Sequence, residues 1–240
     1  MQDQVVLITG GTSGIGLALA DASDQRRARV IVCARSDDGI ARFSSAYPKA
    51  LAIKADVTVA ADRRAMLDAV ARKYGRLDIL INNAGVFTER DFTHGPAPLD
   101  GLHQEMSLNL LAPMWLTAEA LERWPAMKAI VFVTSGFALV SPTRAPTYGA
   151  AKAGLHGFAE GLRRQLASQG THVLELLPPT VDTPMNAGRQ VSKMAPADVA
   201  KATLDALDKR RPQALPGPAR LLPILLRIAP GTTKRMVSAT

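Results

Sequence analysis

Tyr148 and Lys152 stand four residues apart, a spacing that puts a phenol and an ammonium on one face of a helix with their Cβ atoms ~5–6 Å apart. A phenol with its ordinary pKa of about 10 is a poor base at neutral pH. A neighbouring ammonium favours the phenolate and lowers that value, so the pair is suited to passing a proton to or from an oxygen. Upstream, Ser135 closes an apolar run, where its hydroxyl can hydrogen-bond and position a substrate oxygen. A group of this kind serves chemistry at an alcohol or a carbonyl.

Such chemistry calls for a hydride carrier, and the first sixteen residues contain a place for one. The turn Thr9-Gly10-Gly11-Thr12-Ser13-Gly14-Ile15-Gly16 follows an apolar run and opens a helix-length segment. Gly10, Gly14 and Gly16 allow a tight turn, a close approach of backbone to a pyrophosphate and close helix packing, while the helix start offers free N–H groups. The spacing is Gly-x-x-x-Gly-x-Gly rather than the commoner Gly-x-Gly-x-x-Gly, and taken alone it also suits a plain turn. An acidic residue at the end of the second strand would favour NAD(H). This chain has Val32-Cys33-Ala34-Arg35-Ser36 there. Arg35 can clamp a 2′-phosphate and Ser36 can assist, so NADP(H) is expected, with NAD(H) as the alternative because Asp37 and Asp38 lie close by. A solvated surface role is the bland reading of Arg35.

Positioning these groups requires a sheet. Short apolar runs at residues 4–9, 29–34, 50–55, 77–82, 129–135 and 173–177 alternate with helix-length segments at 14–25, 37–47, 60–74, 100–123, 147–169 and 196–208. Runs rich in Val, Ile and Leu without polar alternation indicate strands covered on both faces. The expected fold is α/β, a Rossmann-type doubly wound parallel sheet with helices on both faces. With 240 residues and 47% hydrophobic content, one catalytic, dinucleotide-binding domain over 1–240 is expected, with 216–240 as an atypical tail. Loops 86–98 and 183–195 follow carboxyl ends of strands, where ligands bind in such sheets, and are the expected substrate-contacting segments.

The totals exclude several classes. No targeting segment or membrane span is read, since the first apolar run is short and nothing approaches roughly 18–20 continuous apolar residues. A single cysteine, Cys33, fits a cytoplasmic protein and reads as a small buried hydrophobe. The net charge is +8, but the basic residues are scattered and not interleaved with aromatics, so no nucleic-acid partner is expected. A basic surface instead aids capture of a phosphorylated cofactor. His94, His103, His156 and His172 show no ligand spacing and no glutamate partner, and no metal is expected. Trp115 and Trp124 read as packing residues.

The chain resembles the short-chain dehydrogenase/reductase family. The pieces that carry the resemblance are the turn from Thr9 to Gly16, Asp56-Val57-Thr58, Asn82-Asn83-Ala84-Gly85, Asn109, Ser135, and Tyr148 through Lys152, and it covers residues 4 to about 185. The resemblance implies that Tyr148 is the general acid/base and that Lys152 holds the nicotinamide ribose and depresses the phenol's pKa. It implies that Ser135 steadies the carbonyl and that Asn109 holds a water linking Lys152 to solvent. Thr12, Ser13 and Ile15 would join the glycines at the pyrophosphate. Asp56 and Val57 would meet the adenine, and Asn82, Ala84 and Gly85 would line the cofactor's ribose. Helices of this family often form subunit contacts, which implies a homodimer or homotetramer.

Where the family has Pro-Gly-x-x-x-Thr beside the nicotinamide, this chain has Pro178-Pro179-Thr180-Val181-Asp182-Thr183. Pro178, Val181 and Thr183 match, while Pro179 removes a backbone donor and stiffens the turn. This stretch and Asn109-Leu110-Leu111-Ala112-Pro113 are similar to a smaller branch, the DltE-like oxidoreductases. The tail departs from the commonest family ending: residues 212–215 read as a short last strand, and 219–228 as an apolar segment for ordinary packing. A substrate lid is its second reading, and membrane contact is not expected. The functional expectation is an oxidoreductase interconverting an alcohol and a ketone or aldehyde. The alternative is a cofactor-binding regulatory or scaffold protein of the same fold.

Overall fold

In the computed structural model, which describes residues 1–93, 95 and 99–239, the apolar runs form seven strands. They are β1 (Val5–Thr9), β2 (Arg29–Ala34), β3 (Leu51–Lys54), β4 (Ile79–Asn82), β5 (Ala129–Val133), β6 (His172–Leu176) and β7 (Gln213–Ala214). All pair in parallel in the order β3-β2-β1-β4-β5-β6-β7. Of the loop expected at 86–98, His94, Pro96 and Pro98 lie outside the described residues.

Successive residues of a strand point to opposite faces, and both faces of this sheet are covered. Val5 and Leu7 of β1 pack with Met66 and Leu67 of α3 (Ala60–Tyr74), Leu116 of α5 (Ala112–Arg123) and Leu155 of α6 (Pro146–Gln165). Val6 and Ile8 pack on the other side with Leu19 of α1 (Gly14–Gln25), Phe43 of α2 (Asp37–Ala46) and Leu204 of α7 (Pro196–Asp208). This two-sided burial explains why the strands read as continuous apolar runs. The strand order reverses between β1 and β4, which opens a crevice beyond their carboxyl ends.

The helix expected at 100–123 is broken. It comprises α4 (Leu102–Met106), a π-helical turn at Ser107–Leu111, and α5. Pro113 has no N–H to give the Asn109 carbonyl four residues back. The ladder shifts by one residue, and the Ala112 N–H reaches Ser107 O, five residues back, as in a π bulge. The helix expected at 147–169 ends as α6 at Gln165, with a 3₁₀ turn at Ala167–Gln169 running into Gly170 at φ +76°. The histidine reading also needs correction: His156 does have a glutamate partner, Glu175 of β6, at 2.9 Å. Among the described residues no group of three His, Cys, Asp or Glu could hold a metal.

After β7 the tail forms a 3₁₀ turn (Gly217–Leu221), α8 (Leu222–Ile228) and α9 (Pro230–Ser238). It is fastened by Thr143 N donating to Ser238 O at 2.9 Å, and Thr233 Oγ1 ties α9 to α8 by donating to Leu225 O at 3.1 Å. Ala219, Leu222 and Thr233 are buried, but Leu221, Ile224, Leu225, Ile228 and Met236 are exposed. Ordinary packing therefore describes only the inner side of this segment.

Candidate active site

The β1–α1 turn is shaped by its glycines. Gly10 sits at φ +64°, where a Cβ would lie 3.1 Å from Ala84 Cα. A Cβ on Gly16 would lie 2.2 Å from Gly10 O, so that glycine brings α1 close against the turn. Gly10 N and Gly11 N both donate to Cys33 O, at 2.9 and 3.3 Å. Cys33 is buried, and burial pushes its thiol up to about 12, in keeping with an inert packing residue. Ser13 caps α1 in extended geometry without a side-chain bond to the helix, and the first N–H groups of a helix have no partner within it. Across the turn, the Thr9 hydroxyl accepts from Asn83 N at 3.0 Å and Ala84 N at 2.9 Å. Asn83 Nδ2 returns bonds to Thr9 O and Gly10 O. The two loops at the switch point are thereby joined into one wall. The positive φ at Gly10 and the bare α1 start form a cradle that fits a dinucleotide pyrophosphate.

The crevice beyond these loops encloses about 700 Å³. Every residue expected to hold the cofactor or transfer the proton borders it, except Gly16, Asn82 and Asn109. Gly16 is a packing position, as its close approach to Gly10 shows. Asn82 shares a strand face with Leu80, and its amide is buried against Thr117 Oγ1 at 3.2 Å. Alternation along β4 is the signal that turns Asn82 away, and its neighbour Asn83 borders the crevice instead. Asn109 lies behind the crevice wall: a Cβ on Gly85 would come within 2.8 Å of Asn109 Oδ1 and 3.6 Å of Lys152 Nζ. Its amide accepts from Val86 N at 3.0 Å and donates to Val86 O at 2.9 Å, clamping a segment that is distant in sequence.

At the adenosine-side end, Arg35 is half-exposed with its guanidinium 3.8 Å from Asp56 Oδ2. Ser36 accepts from Gly39 N at 3.2 Å as the cap of α2, a role the sequence reading missed. Asp37 is paired with Lys54 at 2.6 Å. Asp56 Oδ1 accepts from Thr58 N and Thr58 Oγ1, which orients the carboxylate through a local turn.

At the other end, Tyr148 is buried among Phe87 and Phe137, with ring centroids at 4.9 and 6.3 Å. Ser135 caps the short turn Gly136–Ala138 by accepting from Phe137 N at 3.1 Å, and both Ser135 and Tyr148 border the crevice. Lys152 is buried, donates to Val133 O at 3.0 Å, and stands 5.7 Å from the Tyr148 ring centroid. The expected depression of the phenol's pKa is not what this arrangement yields. Burial pushes Tyr148 up to about 12 against the opposing pull of the nearby Ser135 hydroxyl, and the Glu105 charge adds to the rise. Burial also brings Lys152 down to about 8. Desolvation penalises both charged forms, and here it outweighs any attraction between them.

The loops expected to contact substrate supply walls of this end, through residues the sequence did not single out. Phe87 follows β4, and Arg189 lies in the 183–195 loop with its guanidinium 5.8 Å from the Phe87 ring. Burial and the nearby Arg144 charge lower the Arg189 pKa. Leu222 and Leu225, in the segment whose second reading was a substrate lid, also border the crevice, as does Met236 farther along the tail.

Known proteins are similar to this chain in sequence or in fold. The chain is 39% identical over 189 residues to DltE, an uncharacterised oxidoreductase of Bacillus subtilis (strain 168), with 78% of this chain and 75% of that protein covered. It is 31% identical over 202 residues to ipsdienol dehydrogenase of Ips pini, with 77% of each covered. A crystal structure of an actinorhodin polyketide ketoreductase variant with NADPH superposes with a TM-score of 0.81 at 26% identity, covering 89% of this chain and 96% of the other. The short chain dehydrogenase family model matches residues 4–193, and the chain belongs to that family of oxidoreductases.

Proposed function

We propose that this protein is an NADP(H)-dependent oxidoreductase interconverting a ketone or aldehyde and the corresponding alcohol. The observation that carries the reading is the meeting of Ser135, Tyr148 and Lys152 at one end of a crevice whose other end is the bare start of α1. The cofactor, when bound, supplies or takes up the hydride. The turn Gly10–Gly16, with Thr12, Ser13 and Ile15, holds its pyrophosphate. Arg35 selects a 2′-phosphate, helped by Lys54 neutralising Asp37. Asp56 and Val57 border the adenine, and Ala84, Gly85, Pro178, Val181 and Thr183 line the path to the nicotinamide.

Ser135 and Tyr148 donate hydrogen bonds to the substrate oxygen, and Tyr148 passes its proton there as negative charge develops. A phenol kept protonated by burial is a donor at neutral pH. Lys152 holds the nicotinamide ribose and carries protons toward Tyr148, its amine already near neutrality in pKa. Asn109 keeps the Gly85–Val86 wall seated and is a positioning residue. The same reading gives a homodimer or homotetramer through α5 and α6, where Trp115 stands 39% exposed.

The test is NADPH and NADH oxidation with a panel of ketones and aldehydes, beside fluorescence titration of both cofactors. Turnover that Tyr148→Phe abolishes without weakening NADPH binding supports the proposal. Tight NADPH binding with no turnover across the panel would favour a regulatory or scaffold protein of the same fold.

A further inference from the structure

The tail sets an apolar, cationic surface at the mouth of the crevice. Leu221, Ile224, Leu225 and Ile228 recur at i, i+3, i+4 and i+7, so they form one stripe along the 3₁₀ turn and α8. All four are exposed, Ile228 at 77% and Ile224 at 54%. Leu221 and Leu225 also border the crevice, as does Met236 of α9, which is 58% exposed. One edge of the stripe, Leu221 and Leu225, therefore lies at the rim of the opening, and Ile224 and Ile228 extend it outward.

Charge narrows the choice of partner. From residue 212 to 240 the chain has four Lys or Arg and no Asp or Glu. Those four, Arg220, Arg227, Lys234 and Arg235, are exposed, and among the described residues none forms an ion pair. Elsewhere on this protein surface cations are commonly paired, as Arg26 is with Asp205 and Asp208. A two-fold contact between copies through this face would set its cations against themselves, and a nucleic acid would give the apolar stripe nothing to bury. Anionic lipid satisfies both features: exposed apolar side chains enter the acyl boundary while flanking cations meet headgroup phosphates. Among the described residues no helix is long and apolar enough to cross a membrane, so the contact is peripheral.

We propose that the α8–α9 face seats the crevice mouth on an anionic lipid bilayer. The consequence for substrate rests on the oxidoreductase reading above: the carbonyl compound is an apolar amphiphile that enters from the bilayer past Leu221 and Leu225.

Co-sedimentation with vesicles tests the docking without cofactor or turnover, so its failure leaves the oxidoreductase reading standing. The protein should sediment with vesicles of phosphatidylcholine mixed with phosphatidylglycerol, should remain free with phosphatidylcholine alone, and should be released by salt. Arg220→Gln combined with Arg227→Gln should weaken partitioning roughly 30-fold, taking about fivefold per charge. Ile228→Glu, at a position where the fold buries little, should abolish sedimentation while circular dichroism and NADPH titration remain unchanged. Equal sedimentation of the Ile228→Glu protein, or no preference for the anionic vesicles, would overturn the proposal. So would light scattering that shows a dimer dissociated by Ile228→Glu, because a second copy would then occupy the face. For the substrate half, kcat/KM for methyl ketones should climb with alkyl chain length, and a profile that falls with length would overturn that half alone.

Discussion

Lys152 gives a hydrogen to the carbonyl of Val133, 3.0 Å away and two residues before Ser135. The bond ties the helix that carries Tyr148 to the strand that leads into Ser135. A single amine thus helps fix the relative positions of the two hydroxyls, and its own desolvation follows from the same burial.

That burial has a measurable pH signature. Lys152 falls from 10.5 in the free side chain to about 8, so between about pH 8 and 10.5 the unfolded chain binds more protons than the folded one. Stability gained from this group therefore rises with pH across that window, and its penalty is carried in full below pH 8. Tyr148 works oppositely: raised from 10.0 to about 12, it makes stability fall from pH 10 to 12. The difference in urea midpoint between the parent protein and Lys152→Met should shift in the parent's favour from pH 8 to pH 10. A difference that stays flat or moves the other way would contradict the burial argument.

Tyr148→Phe removes the proton donor but keeps the ring against Phe87. The expected loss in kcat is ~10²–10⁴-fold, the usual range for a positioned acid or base, with little change in NADPH affinity. Steady-state rates beside fluorescence titration separate the two effects.

Arg35→Ser addresses cofactor choice. Loss of a charge-assisted contact worth roughly 1.5–3 kcal/mol should raise KM for NADPH about 10- to 100-fold and leave KM for NADH almost unchanged. Equal effects on both cofactors would assign Arg35 to a solvated surface role.

Two glycine substitutions should differ in sign. Gly16→Ala puts a methyl group 2.2 Å from Gly10 O and should cost roughly 1–3 kcal/mol through forced backbone movement. Gly161→Ala, on α6 with nothing within 4 Å of the added carbon, should gain about 0.5–1 kcal/mol by restricting the unfolded chain. Thermal unfolding reads both.

Much of this was legible in the chain because its signals are local. Covered strands reveal themselves as unbroken Val and Ile runs, and Pro196 marks the start of α7. The π turn was legible in principle too, since Pro113 must deny the Asn109 carbonyl its usual donor four residues on, but a helical period drawn straight through 100–123 hides it. The sense of Asn82 and Asn83 follows from strand alternation, which a motif read as one block overlooks. The phenol's pKa was not legible: its sign depends on how much water the fold removes, and spacing along one helix says nothing of that. Nor did the apolar run at 219–228 disclose which of its residues stay outside.

The Thr9 hydroxyl, which accepts the amides of both Asn83 and Ala84, pins the opposing banks of the cleft together beside the bonds that the Asn83 side chain makes to Thr9 O and Gly10 O. An isosteric valine there would keep the volume yet sever that hinge pin, so looseness introduced on the phosphate bank would be transmitted to the hydride bank.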